Sequence, residues 1–170
     1  MKLDLACGAN PHEGYEGVDC REMTQPWRVN LEQFPWPWED GSVEELICSH
    51  YVEHCPDLVA FMNECHRILE PGGTLRILCP YQHSDRAWQD PTHIRALNFK
   101  SWDYYDAQLR AGLGPEYADI TADFEMVKQV AIINGDVAAQ FGEEGVPPWL
   151  LQHGVNVIDD IDVTLRKRAA

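Results

Sequence analysis

The hydrophobic pattern divides this chain into short apolar runs and one longer amphipathic segment. Residues 2–6, "KLDLA", form one run and 15–19, "YEGVD", a second. Both have the length and boundaries of short buried strands. "WRVNL" (27–31) reads as a third strand, followed by an irregular Pro- and Trp-rich linker, "EQFPWPWEDGS". "VEELICSH" (43–50) is a fourth, with a polar start and an apolar finish. The helical signal is clearest in "PDLVAFMNECHRILEPGG", where Leu58, Met62, Cys65 and Leu69 share a face. Pro56 suits a first turn and Pro71-Gly72-Gly73 ends the helix. "TLRILCPY" (74–81) then returns as a buried strand. Strand, helix, strand in this order predicts a βαβ unit, hence parallel pairing and a right-handed crossover.

The second half is less regular. "QHSDRAWQDPTHIRALNF" (82–99) is too polar and Pro-broken for a core element, and too long for a casual connection. Long ordered loops after the carboxyl end of a parallel strand are where α/β proteins place their chemistry. Ser101 is positioned to cap a helix through "WDYYDAQLRAG", ended at Gly112. "FEMVKQVAII" and "VNVIDDIDVTLRKR" read as two late strands that close the far edge of the sheet as an antiparallel pair. Only eight residues separate Ala6 from Tyr15. That is fewer than the dozen or more a parallel crossover usually needs, so the first crossover helix is expected to be absent or a single turn.

The chain has 170 residues, which fits one domain. Its 13 basic and 28 acidic side chains leave a net charge of −15. A field of that sign repels phosphate backbones and argues against a double-stranded nucleic acid partner. Six cysteines fall in no C-x-x-C pair, a pattern of reduced thiols in a cytoplasmic protein. No apolar run reaches membrane-spanning length, and no internal repeat is visible.

The candidate chemistry starts at the first turn. A small-residue turn after a strand lets a ligand approach the backbone, and an acid ending the next strand suits two ribose hydroxyls. Alone, Gly8 and Asp19 equally describe an ordinary turn and a solvated carboxylate. The ordered series of motifs is more specific. "LDLACGAN" resembles the first motif of class I S-adenosylmethionine-dependent methyltransferases, and "GVDC" resembles their second-strand acid. "VNLEQFPWPWEDGSVEELICSHYVEH" is similar to their stretch from the adenine pocket to the fourth strand. "FMNECHRILEPGGTLRILCPY" is similar to their helix, turn and fifth strand. "DPTHIRALNFKSWDYY" resembles a segment of a compact subgroup found in phages and bacteria.

The resemblance implies an α/β, compact Rossmann-like fold with a mostly parallel sheet, an antiparallel C-terminal strand and reduced crossover helices. It implies one methyltransferase domain over residues 1–170, with 82–99 as its active-site loop. S-adenosyl-L-methionine is the cofactor it implies. Ala6, Cys7 and Gly8 would pass under the methionine end, with Asp4 buttressing the turn. Asp19 would hold the ribose, Asn30 and Leu31 the adenine, and Ser49 and His50 the region of the amino group and reactive methyl. The family's usual glycine is here Ala6, and a further one is Asn10.

Methyl transfer asks mainly for alignment, because the sulfonium is already an excellent leaving group. A base helps when the acceptor is a hydroxyl or protonated amine. The candidates are His50, His83, Asp90 and His93, with Tyr81 and Arg95 as positioning groups and His54 as a packing or capping histidine. No metal site is expected: the spacings of His50–His54 and Asp90–His93 bring side chains together only on a helix, and neither pair sits in one. The acceptor is expected to be a small molecule or a protein side chain. A homodimer is expected to cover apolar sheet faces left by the missing helices. Two rival readings stand beside this one: a module that holds S-adenosylmethionine or S-adenosylhomocysteine without turnover, and a metal-dependent hydrolase built from the histidines.

Overall fold

The structure, a computed structural model, describes residues 1–21 and 26–169. Its elements run β1 (Lys2–Leu5), β2 (Glu16–Asp19), β3 (Trp27–Arg28), β4 (Val43–Ser49), α1 (Leu58–Ile68) and β5 (Leu69–Pro80), and continue with α2 (Ala107–Arg110), β6 (Phe124–Ile133), α3 (Gly135–Phe141), α4 (Pro148–His153) and β7 (Ile158–Lys167). Among the described residues, seven strands form one sheet in the order β3-β2-β1-β4-β5-β7-β6. The first five pair in parallel, and β7 runs antiparallel to both β5 and β6. The chain winds outward in one direction from β1 to β3 and in the other from β4 to β5. The switch point therefore lies between the carboxyl ends of β1 and β4, where open α/β sheets take their ligands.

Residues 6–15 between β1 and β2 contain turns and no helix, as the short spacing predicts. Residues 29–42 before β4 are likewise non-helical. There the tryptophans do the packing: Trp36 and Trp38 are buried, and Trp36 meets Phe61 of α1 edge-on with ring centroids 5.5 Å apart. Arg67 on α1 fastens this linker by donating to the Trp36 and Trp38 carbonyls and to Asp40 and Glu64. Helix α1 starts later than Pro56, because Asp57 is its N-cap and accepts from the Ala60 N–H at 2.9 Å.

The two faces of the sheet differ. In register, Leu3, Leu46, Leu75 and Leu165 line one face, followed by Leu5, Cys48, Ile77 and Val163. All are buried beneath α1, the tryptophan linker and Trp102 and Tyr105. The opposite face carries Lys2, Glu45, Arg76 and Asp162. Lys2 and Tyr15 converge on the Glu45 carboxylate, and Arg76 holds Asp162 in a two-point contact at 2.9 and 2.8 Å. This corrects the ground on which the homodimer was expected. This second face is charged over β1, β4 and β5, and exposed Val130 and Ile132 are confined to the edge strand β6.

The segment after residue 98 also departs from the sequence reading. A 3-10 helix (Phe99–Tyr105) is capped by Asn98, with Ser101 closing the capping box, and Asp106 then caps the separate α2. Asp106 competes for the backbone N–H groups of Gln108 and Leu109 and so splits what periodicity joins. Among the described residues, no helix is long and apolar enough to cross a membrane.

Candidate active site

A cavity of about 490 Å3 opens at the switch point. Its walls come from the turn after β1 (Ala6, Gly8), the end of β2 (Asp19, Cys20, Arg21), the stretch after β3 (Val29 to Glu32), the turn after β4 (His50, Tyr51, His54) and Thr92 of the 82–99 loop. A second, more open groove of about 690 Å3 lies on the outer flank of α1, between Asn63 and Tyr117. None of the site residues expected from the sequence lines that groove.

The first wall is a backbone cradle. Ala6 has φ +57° and Gly8 φ +59°, both in the left-handed region. Gly8 adopts it freely, whereas the Cβ of Ala6 makes that geometry cost ~1–2 kcal/mol. Two carboxylates hold the turn in place. Asp4, 2% exposed, accepts from both the backbone N–H and ring Nδ1 of His12, each at 2.8 Å. Asp19 accepts from the Gly8 N–H at 3.0 Å through one oxygen and from the Arg21 N–H at 2.9 Å through the other. Each Asp19 oxygen has a further lone pair, so the carboxylate can accept two more donors at the cavity wall. Asn30 accepts from the Glu32 N–H at 3.0 Å in a side-chain turn, which leaves its amide N–H groups for a ligand, and Leu31 beside it is buried.

The opposite wall turns on His50. Its φ is +53°, uncommon for a residue with a side chain and a mark of strain held at a functional edge. Its N–H donates to the Leu78 carbonyl at 2.8 Å, which pins the turn to β5. Its Nδ1 stands 3.4 Å from the buried Glu53 carboxylate, an ion-pair distance without hydrogen-bond alignment. That neighbouring carboxylate raises the His50 pKa against the opposing pull of burial. Tyr51 lines the cavity with its hydroxyl buried beside the Cys55 thiol.

The structure thus brings Ala6, Gly8, Asp19, Asn30, Leu31 and His50 to one cavity. Asp4, Cys7 and Ser49 are adjacent and do not line it. Asp4 braces the turn from behind, and the Cys7 N–H donates to the Val18 carbonyl while burial pushes its thiol pKa up. Among the base candidates, His83 is exposed outside the cavity and stacks edge-on with Tyr81. Asp90 builds a turn by accepting from the N–H and hydroxyl of Thr92. His93 is half-buried behind Thr92, its ring edge-on to His54 at 4.6 Å. Arg95 clamps the neighbouring turn, donating to the carbonyls of Val52, Cys55 and Pro56. Sequence reasoning missed Tyr51, Thr92, Cys20 and Arg21, and it gave His54 a packing role although His54 stands in the wall.

The family described as a methyltransferase domain matches residues 18–77, from the end of β2 into β5. A protein of Mycolicibacterium smegmatis, named a probable S-adenosylmethionine-dependent methyltransferase, is 32% identical over 102 residues. Over these residues the chain is similar to S-adenosylmethionine-dependent methyltransferases. The match covers 58% of this chain and 37% of the mycobacterial protein, so the chain spans little more than a third of that relative. Among solved structures, a methyltransferase from Archaeoglobus fulgidus superposes with a TM-score of 0.63 at 16% identity, covering 98% of this chain and 85% of the other. One from Mesorhizobium loti gives 0.61 at 17% identity, covering 98% and 90%. At such identities these two bear on the fold alone, that of this chain's mostly parallel sheet with its antiparallel β7.

Proposed function

We propose that this protein transfers the methyl group of S-adenosyl-L-methionine to an oxygen or nitrogen nucleophile on a small molecule or a protein side chain. The observation that carries the reading is the cavity at the β1/β4 switch point, with Asp19 in its wall beside the Ala6–Gly8 turn. In this reading the free lone pairs of Asp19 take the two ribose hydroxyls. Asn30 and Leu31 edge and cover the adenine, and the Ala6–Gly8 backbone passes beneath the methionine end. The sulfonium is a cation, and a protein of net charge −15 draws it in while repelling phosphate polymers. The acceptor enters past Thr92. Of the four base candidates, His50 alone lines the cavity, and it is the group an acceptor there meets.

The chemistry required of the chain is modest. Attack on the methyl carbon forms the new C–O or C–N bond as the C–S bond breaks, and S-adenosylhomocysteine departs. Holding nucleophile, carbon and sulfur in line supplies most of the acceleration. Six free cysteines, four of them buried, support a reducing and therefore cytoplasmic setting.

The test is acceptor-dependent product formation. Protein is incubated with methyl-labelled S-adenosylmethionine and pools of small hydroxyl, amine and peptide acceptors, and S-adenosylhomocysteine is quantified. Release that depends on one pool supports transfer and names the acceptor class. Tight cofactor binding with no release in any pool would replace transfer by the reading of a non-catalytic binding module.

A further inference from the structure

Behind the cavity wall is a cluster that the cofactor reading does not use. Glu53 is 2% exposed, and among the described residues neither of its carboxylate oxygens has a well-aligned hydrogen-bond donor. A buried carboxylate in that state is costly and calls for a cationic partner. The contact with His50 at 3.4 Å reaches one oxygen only. His54, from the turn after β4, and His93, from the 82–99 loop, stand beside it. One ligand atom from each of Glu53, His54 and His93 lies within 4.8 Å of the others.

The hydrogen bonds fix both rings in one tautomer. The Thr92 hydroxyl donates its single proton to Asp90 at 2.7 Å, so toward His54 Nδ1, at 3.0 Å, it can only accept. The proton of the neutral His54 ring is therefore on Nδ1. His93 Nδ1 faces the Ala87 carbonyl at 3.0 Å, which also only accepts. In both rings Nε2 keeps its lone pair. A carbonyl or hydroxyl holding the far nitrogen is how metal-binding imidazoles are oriented. Asp90, 4.0 Å from His93 Nε2, adds a second carboxylate at the rim.

We propose that Glu53, His54 and His93 bind one divalent transition-metal cation, of the zinc or cobalt kind, at the edge of the cofactor cavity. Two imidazoles and a carboxylate are a donor set for such ions, and three protein ligands leave a coordination position open. Because His54 and Thr92 line the cavity, that position lies toward the space an acceptor would occupy. Ligand atoms ~2.1 Å from a tetrahedral ion stand about 3.4 Å apart, so the ion draws the three side chains together. The spacing rule along one helix overlooks this set because it joins two loops. The inference stands independently of methyl transfer.

Cobalt(II) titration of the full chain, followed by its visible absorption, tests it. The expected result is one Co2+ per chain, giving ligand-field bands without the sulfur-to-cobalt charge transfer that binding by any of the six thiols would add. His54→Ala and His93→Ala should each weaken binding by at least about tenfold, the size that losing an outer-shell partner alone can reach. Glu53→Gln should do the same where it folds, with thermal melting as the check. No binding near one equivalent, a thiolate band, or unchanged affinity in both histidine variants would overturn the site. S-adenosylhomocysteine titration of the same wild-type sample separates the outcomes: cofactor binding without metal binding removes this inference and leaves the cavity assignment intact.

Discussion

Two loops flank the cavity, and they are held by opposite means. The turn after β1 is short, carries left-handed backbone at Ala6 and Gly8, and is fixed by carboxylates of the strands themselves, Asp4 and Asp19. The 82–99 loop is long and closes on itself: Gln82 N–H donates to the Leu97 carbonyl at 2.8 Å, and Asn98 reaches back to Gln82 at 2.8 Å. It is fastened to the protein by Arg95 and by Arg86, which donates to Asp160 of β7 at 2.7 Å. A strained turn tied to strands gives a rigid surface for one fixed ligand. A self-closed loop on two cationic clamps can vary its tip without disturbing the sheet. That difference is what a common cofactor and a particular acceptor would require.

The comparison breaks if variants of the two loops behave alike. Arg95→Ala has the largest expected effect on stability. It removes three charge-assisted bonds to carbonyls and should cost ~2–3 kcal/mol, read by urea denaturation. S-adenosylhomocysteine affinity should change less in this variant than in any variant of the first turn. Asp4→Ala leaves the His12 N–H without its partner and should cost ~1–2 kcal/mol of stability. In the same variant S-adenosylhomocysteine binding should weaken by about fivefold, because the turn loses its brace. Ala6→Gly has the smallest expected effect, and its sign is opposite. Relief of the left-handed strain, ~1–2 kcal/mol, is offset by the ~0.5–1 kcal/mol of extra freedom glycine loses on folding. A net gain of about 0.5 kcal/mol should appear as a slightly higher melting temperature.

Much of the first turn was legible because its signals are local. A strand, a small-residue turn and an acid ending the next strand lie within 19 residues, and their order carries the family resemblance. The second wall was harder to read. Tyr51 and His54 follow β4 on an irregular turn with no periodicity, and only the left-handed His50 backbone aims them at the cavity. His83 and Asp90 share a loop with Thr92, yet sequence does not say which side of a self-closed loop faces inward. The charged sheet face was legible and went unread. Parallel strands covered on both faces run continuously apolar, whereas Arg76 interrupts "TLRIL", and Asp160 and Asp162 interrupt "IDDIDVTL" at alternating positions. That alternation announces one apolar face and one charged face in place of an apolar dimer surface.

Asp19 carries the central claim, and calorimetric titration with S-adenosylhomocysteine tests it most directly. Wild-type protein should bind one equivalent. Asp19→Ala, which on the proposed reading loses the charged acceptor for two hydroxyls, should bind about 10- to 100-fold more weakly, the equivalent of ~1.5–3 kcal/mol. Equal affinity in the two proteins, with the variant's fold confirmed by its melting transition, would contradict the account.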